Sequence, residues 1–110
     1  MYRYRAELVR VVDGDTVDLK VDLGFHMTAC LRFRLLGIDA PEVRGPEKID
    51  GRAATHYLQS LLAGHDTLYV ESVKTGKFGR WLGLIYTGAR SRITVNDQMV
   101  TAGHAVVAEY

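Results

Sequence analysis

The chain is 110 residues long, 47% hydrophobic and 25% charged, which is the size and composition of one globular domain. Its formal net charge of +1 excludes a bulk-charge argument for a nucleic-acid or membrane partner, so any such argument must rest on local clusters. A single cysteine, Cys30, excludes an intrachain disulfide and says nothing of the redox compartment.

No apolar run is long enough to cross a bilayer, and Met1 to Arg5 lead into a strand pattern rather than a signal sequence. As written the chain reads as cytoplasmic, and as secreted if a leader has been removed. Residues 1–110 read as one domain, without repeat, low-complexity tract or linker.

Tyr4 to Val12 is rich in β-formers and ends at Asp13-Gly14, a favoured hairpin dipeptide. The next strand is the clearest: Val17, Leu19, Val21 and Leu23 alternate with Asp18, Lys20 and Asp22. Asp15 shares the parity of Val17 and Leu19, which places a carboxylate on the apolar face at the strand's start. There it requires a partner, and a cation is expected beside it. Gly24 turns the chain into a third strand, from about Phe25 to Leu36, in which Leu31, Phe33 and Leu35 alternate with Arg32 and Arg34. Cys30 lies within this pattern and is expected to be a buried, inert thiol. Gly37 and Pro41 end the alternation and leave Asp39 and Glu42 at the rim of the sheet.

A polar connection follows. Asp50 is the expected N-cap of an amphipathic helix whose stripe is Ala54, Tyr57, Leu58, Leu61 and Leu62, stopped by Gly64. Two more strands, Thr67 to Val73 and about Arg80 to Tyr86, flank the loop Lys74-Thr75-Gly76-Lys77-Phe78-Gly79. Asn96 is the expected cap of a short helix through Met99, Val100 and Ala102, ended by Gly103, and Ala105 to Ala108 is a closing apolar run. The sum is a mainly β chain with helices: a five-stranded Greek-key barrel of the oligonucleotide/oligosaccharide-binding type (OB-fold), with one central helix and a short C-terminal helix. An α+β sheet with the helix on one face fits the same periodicity.

Several segments, in this order, resemble the staphylococcal nuclease (thermonuclease) family: Val12-Asp13-Gly14-Asp15-Thr16-Val17, Arg34 through Glu42, Phe78-Gly79-Arg80, and Val95-Asn96 through Gly103 to Ala108. The resemblance implies a five-stranded barrel and a calcium-dependent nuclease that hydrolyses phosphodiesters of DNA and RNA to 3′-phosphate ends with little sequence preference. It implies Asp15, Asp39 and the Ala40 carbonyl as ligands of Ca2+, Glu42 as the general base, and Arg34 and Arg80 as phosphate clamps. Asp13 and Thr16 would lie near the metal without ligating it. Lys77, Phe78 and Tyr110 would contact substrate. Phe78 stands where the family commonly has tyrosine, Gly76 where it has an acidic residue, and Glu109 where an aromatic often holds the base, which leaves that role to Tyr110. The implied partners are single- or double-stranded DNA and RNA, with no membrane, no stable protein partner and a monomeric chain.

The residue chemistry agrees: calcium takes carboxylate, carbonyl and water oxygens, and guanidinium forks match phosphate oxygens in pairs. Blander readings stand beside each feature. Asp13-Gly14 alone is a hairpin turn, Arg32 and Arg44 are solvated or weakly steering, and His26, His56, His65 and His104 are surface or structural. Trp81 and Tyr86 read as packing residues rather than base-stacking platforms. The early acidic residues lack the order of an EF-hand loop. Two rivals to the nuclease remain: a catalytically silent module of the same fold that binds nucleic acid or protein, and a metal-free single-strand-binding barrel.

Overall fold

The alternation of Val17, Leu19 and Val21 against charged neighbours builds a strand with one buried face, and two further strands pair antiparallel on either side of it. The computed structural model describes residues 2–75 and 80–109. Strands β1 (Tyr4–Asp13), β2 (Thr16–Gly24) and β3 (Met27–Leu35) form an antiparallel meander, followed by a two-residue strand, β4 (Ile38–Asp39). After a 3₁₀ turn at Gly45–Glu47 come helix α1 (Lys48–Leu62), strands β5 (Leu68–Thr75) and β6 (Trp81–Tyr86), helix α2 (Val95–Thr101) and the short β7 (Val106–Val107). The barrel closes in the order β1-β2-β3-β6-β5, with β5 paired back to β1. All of its pairings are antiparallel except β3 with β6. This is the expected OB-type barrel, and its closure removes the alternative of an open sheet with a helix on one face.

The interior is filled by Val17, Leu19, Val21, Phe33, Leu35, Val70 and Ile85, all contributed by inward positions of the strands. Helix α1 buries Gly51, Ala54, Leu58 and Leu62 at helical spacing and packs on β1. Full burial of each large apolar side chain contributes roughly 1.5–3 kcal/mol, so this stripe is what fixes the helix to the barrel. Helix α2 buries Val95, Asn96 and Met99 against β6 and α1. No helix among the described residues is long and apolar enough to cross a membrane.

Several local expectations are corrected. The third strand starts at Met27, because Phe25 and His26 occupy left-handed backbone (φ 54° and 61°) and form the hairpin turn themselves. Phe25 is consequently 96% exposed at its tip. Cys30 is exposed rather than buried: it pairs with Lys20 on the outer face, the parity of Arg32 and Arg34. Helix α1 begins at Lys48, two residues before Asp50, after Pro46 has set the preceding turn. The cap of α2 is Thr94, whose hydroxyl oxygen accepts from the Asp97 amide at 2.9 Å.

Asn96 instead joins three elements from inside. Its Oδ1 accepts from the Ile85 amide at 3.1 Å, and its Nδ2 donates to the carbonyls of Leu36 (2.9 Å) and Gly83 (3.1 Å). It thereby pins the end of β3, β6 and α2 together. Tyr86 packs as expected, beneath the Arg3 guanidinium at 3.5 Å from its ring centre. Trp81 is 36% exposed, so packing covers most but not all of it.

Candidate functional site

The site begins at the β1–β2 turn. β1 carries two register shifts, one between Leu8 and Arg10 and one between Val11 and Asp13. Each inserts a residue and re-aims those that follow. After the second, Asp13 stands opposite Thr16, and its Oδ1 accepts from the Asp15 amide at 3.1 Å, closing the turn. Gly14 is required there for space: a Cβ would lie 2.7 Å from the Ala54 Cβ and 2.8 Å from that of Ala40. The turn therefore rests directly on α1 and on the segment after β4.

Asp15 is 4% exposed. Its Oδ1 accepts from the Thr16 hydroxyl at 3.1 Å and its Oδ2 from the Ala40 amide at 3.0 Å. The expected cation is present: Arg34 Nη2 lies 3.3 Å from Oδ2. Even so, burial and then the adjacent Asp13 carboxylate raise the Asp15 pKa from 3.8 to about 6, against the lowering effect of the Ala40 amide and Arg34. The negative charge at Asp15 is thus only partly compensated by the protein.

The same Arg34 nitrogen reaches Asp39 Oδ1 at 2.9 Å. Asp39 belongs to β4, which is held by pairing with β7 (Ile38 with Val107, Asp39 with Val106) and by the Ala108 amide donating to the Gly37 carbonyl at 2.9 Å. Glu42 follows within the same connection, and its backbone is held by a close approach of α1. A Cβ on Gly51 would overlap the Glu42 carbonyl, so only glycine lets the helix sit against this part of the chain.

These segments enclose a cavity of about 500 Å³ lined by Arg10, Asp13, Asp15, Arg34, Asp39, Ala40, Glu42, Arg44 and Arg80, with Val12 and Val43. Asp15, Asp39, Ala40, Glu42, Arg34 and Arg80 are therefore brought to one concavity from three separated stretches of chain. Thr16 lies behind it, buried under Asp15. Lys77, Phe78 and Tyr110 fall outside the described residues. Sequence reading missed Arg10, because the bulge that turns it to this face has no compositional signal, and treated Arg44 as peripheral although it lines the cavity. Among the histidines, His104 stacks on Tyr57 at 4.7 Å and the other three are exposed.

The donor chemistry suits a hard cation. Two carboxylates converge on one guanidinium nitrogen, and one of them is buried with its charge incompletely offset. Among the described residues no three His, Cys, Asp or Glu side chains form a ready-made metal cage, and Ala40, whose carbonyl the resemblance implies as a ligand, lines the same cavity.

Residues 32–110 match the family described as staphylococcal nuclease homologue. The chain is 32% identical over 113 residues to a micrococcal nuclease of Shigella flexneri, covering 97% of this chain and 60% of that protein. It is 33% identical over 112 residues to endonuclease YhcR of Bacillus subtilis, covering 93% of this chain and 9% of that protein. Protein ParB of Escherichia coli is 37% identical over 82 residues, covering 74% and 41% respectively. The chain thus spans from less than a tenth to three fifths of the length of these relatives.

Proposed function

The chain belongs to the staphylococcal nuclease homologue family, and from that premise we propose that it is a calcium-dependent phosphodiesterase. It would act as a monomer on single- or double-stranded DNA and RNA, with little sequence preference, and leave 3′-phosphate ends. The observation that carries the proposal is the convergence of Asp15 and Asp39 on Arg34 in a cavity that Glu42 and Arg80 also line.

In this reading Asp15, Asp39 and the Ala40 carbonyl hold the cation, which supplies neutralisation of the charge that develops on the phosphoryl oxygens. Arg34 pairs with both carboxylates and offsets their charge only in part; with a cation between them, its fork would turn to the phosphate. Arg34 and Arg80 then donate to the equatorial oxygens, where paired guanidinium contacts are short and directional. Glu42 accepts a proton from water as the water oxygen bonds to phosphorus. The bond to the 5′ oxygen breaks, that oxygen takes up a proton from solvent, and the phosphate stays on the 3′ side. Thr16 and the Ala40 amide keep Asp15 oriented.

The test is digestion of single-stranded DNA and RNA with calcium, with magnesium and with chelator, followed by end-group analysis. Calcium-stimulated cleavage with 3′-phosphate products is expected. Protein that binds the strands without cleaving them, over a broad calcium and pH range, would replace this reading with the silent binding module.

A further inference from the structure

The bulge at Val9 has a specific effect on Arg10. Ala6 pairs with Val21 and Leu8 with Leu19, all inward positions. Simple alternation would put Arg10 inward too. The inserted residue instead sets Arg10 opposite Asp18 and returns the inward role to Val11, opposite Val17. Asp18 in turn pairs with Arg32 on β3. Arg10, Asp18 and Arg32 therefore form a row across three adjacent strands on the outer face, and Arg32 stands two residues, about 6.8 Å, from Arg34 along β3.

Within the row the carboxylate is not shared equally. Arg32 takes both oxygens of Asp18, Nε to Oδ1 at 2.7 Å and Nη2 to Oδ2 at 3.1 Å. This fork holds the Asp18 pKa below its ordinary value. Arg10 approaches the same carboxylate only at 4.0 Å, the outer limit of an ion pair, with its side chain 62% exposed. Asp18 is thus occupied chiefly by one arginine, and the other stays largely exposed. That other arginine is the one lining the cavity with Arg34 and Arg80.

We propose that Arg10 is a substrate-binding residue that takes the phosphate next to the scissile one, with the Arg32–Asp18 pair setting how much of its charge the nucleic acid meets. This deepens the nuclease reading and rests on it. A single strand lying across the barrel face would place one phosphate between Arg34 and Arg80 and the neighbouring phosphate at Arg10. Asp18 then tunes affinity: its negative charge weakens the grip on the strand, and Arg32 limits that loss by occupying it.

The test is fluorescence-anisotropy binding of a labelled single-stranded oligothymidylate, in chelator so that it stays intact, across a series of salt concentrations. Arg10→Gln is expected to weaken binding about two- to fivefold at low salt, the range of one exposed ion pair. It should also flatten the slope of log affinity against log salt by about 0.7, one single-strand phosphate contact. Arg10→Lys should restore the slope and Asp18→Asn should tighten binding, with melting temperatures unchanged for both arginine variants. Arg10→Gln with wild-type affinity and slope, while Arg34→Gln binds more weakly, overturns the role of Arg10 and leaves the nuclease reading standing. Wild-type protein with no affinity for the strand, in chelator and with calcium alike, overturns both.

Discussion

Replacing Asp15 with asparagine should make the metal-free protein more stable while removing its activity. The Asp15 pKa is raised from 3.8 to about 6 by burial and by Asp13, so the folded state binds this proton more tightly than the unfolded chain does. Its contribution to stability is complete below about pH 3.8 and is lost as pH rises to about 6. Above that, the ionised carboxylate costs the fold about 3 kcal/mol at 1.36 kcal/mol per pKa unit. Asparagine removes the charge and keeps the main contacts: its oxygen can accept from the Ala40 amide and its NH2 group can donate to Thr16. Part of the gain is offset because Arg34 loses one of its two carboxylates. A net gain of about 1–3 kcal/mol at pH 7.5 is expected. For a domain of this size it should appear as a rise in melting temperature of at least several degrees. The assay is urea or thermal unfolding in chelator from pH 4 to pH 8 for both proteins. Wild type should lose stability relative to Asp15→Asn between about pH 4 and pH 6, and added calcium should stabilise wild type alone. An Asp15→Asn protein less stable than wild type at pH 7.5 in chelator, or parallel pH profiles, would refute this account of the buried carboxylate.

Other substitutions probe how the site is held. Arg34→Ala should lower the cleavage rate about 100-fold or more, the scale of a lost transition-state donor, when measured as initial rates at saturating calcium; a loss of less than tenfold contradicts its role as clamp. Gly51→Ala should force α1 away from the Glu42 carbonyl, reducing both stability and turnover; a variant with unaltered melting temperature and rate would show that the approach carries no constraint. Asn96→Ala leaves the Ile85 amide and the Leu36 and Gly83 carbonyls without this side chain and should cost about 2–4 kcal/mol in urea unfolding at roughly 1 kcal/mol or more per lost partner. A cost below 1 kcal/mol would show that these groups are satisfied otherwise.

Much of the frame is legible because strand parity speaks directly. The alternation in β2 and β3 fixed their inward faces, and the parity of Asp15 announced both its burial and its need for Arg34. The same parity, applied to Cys30, would have put it outside with Arg32 and Arg34. Parity fails where residues are inserted: the Val9 bulge turned Arg10 toward the cavity, and nothing in Leu8-Val9-Arg10 marks it. Capping was ambiguous because both Thr94 and Asn96 are good cap types. The choice was made in three dimensions, where the Asn96 amide could satisfy three backbone groups on neighbouring elements. The reasons for Gly14 and Gly51 are likewise tertiary, since each is needed only because another segment passes within contact distance.

The central claim is that Asp15 and Asp39 together hold the cation on which hydrolysis depends. The most direct measurement is the initial rate of single-strand cleavage as a function of free calcium for wild type and Asp39→Asn. Wild type should show no rate in chelator and saturate with calcium, and Asp39→Asn should need markedly more calcium to reach a lower plateau. A wild-type rate that persists in chelator, or an identical calcium dependence in the two proteins, would contradict the claim.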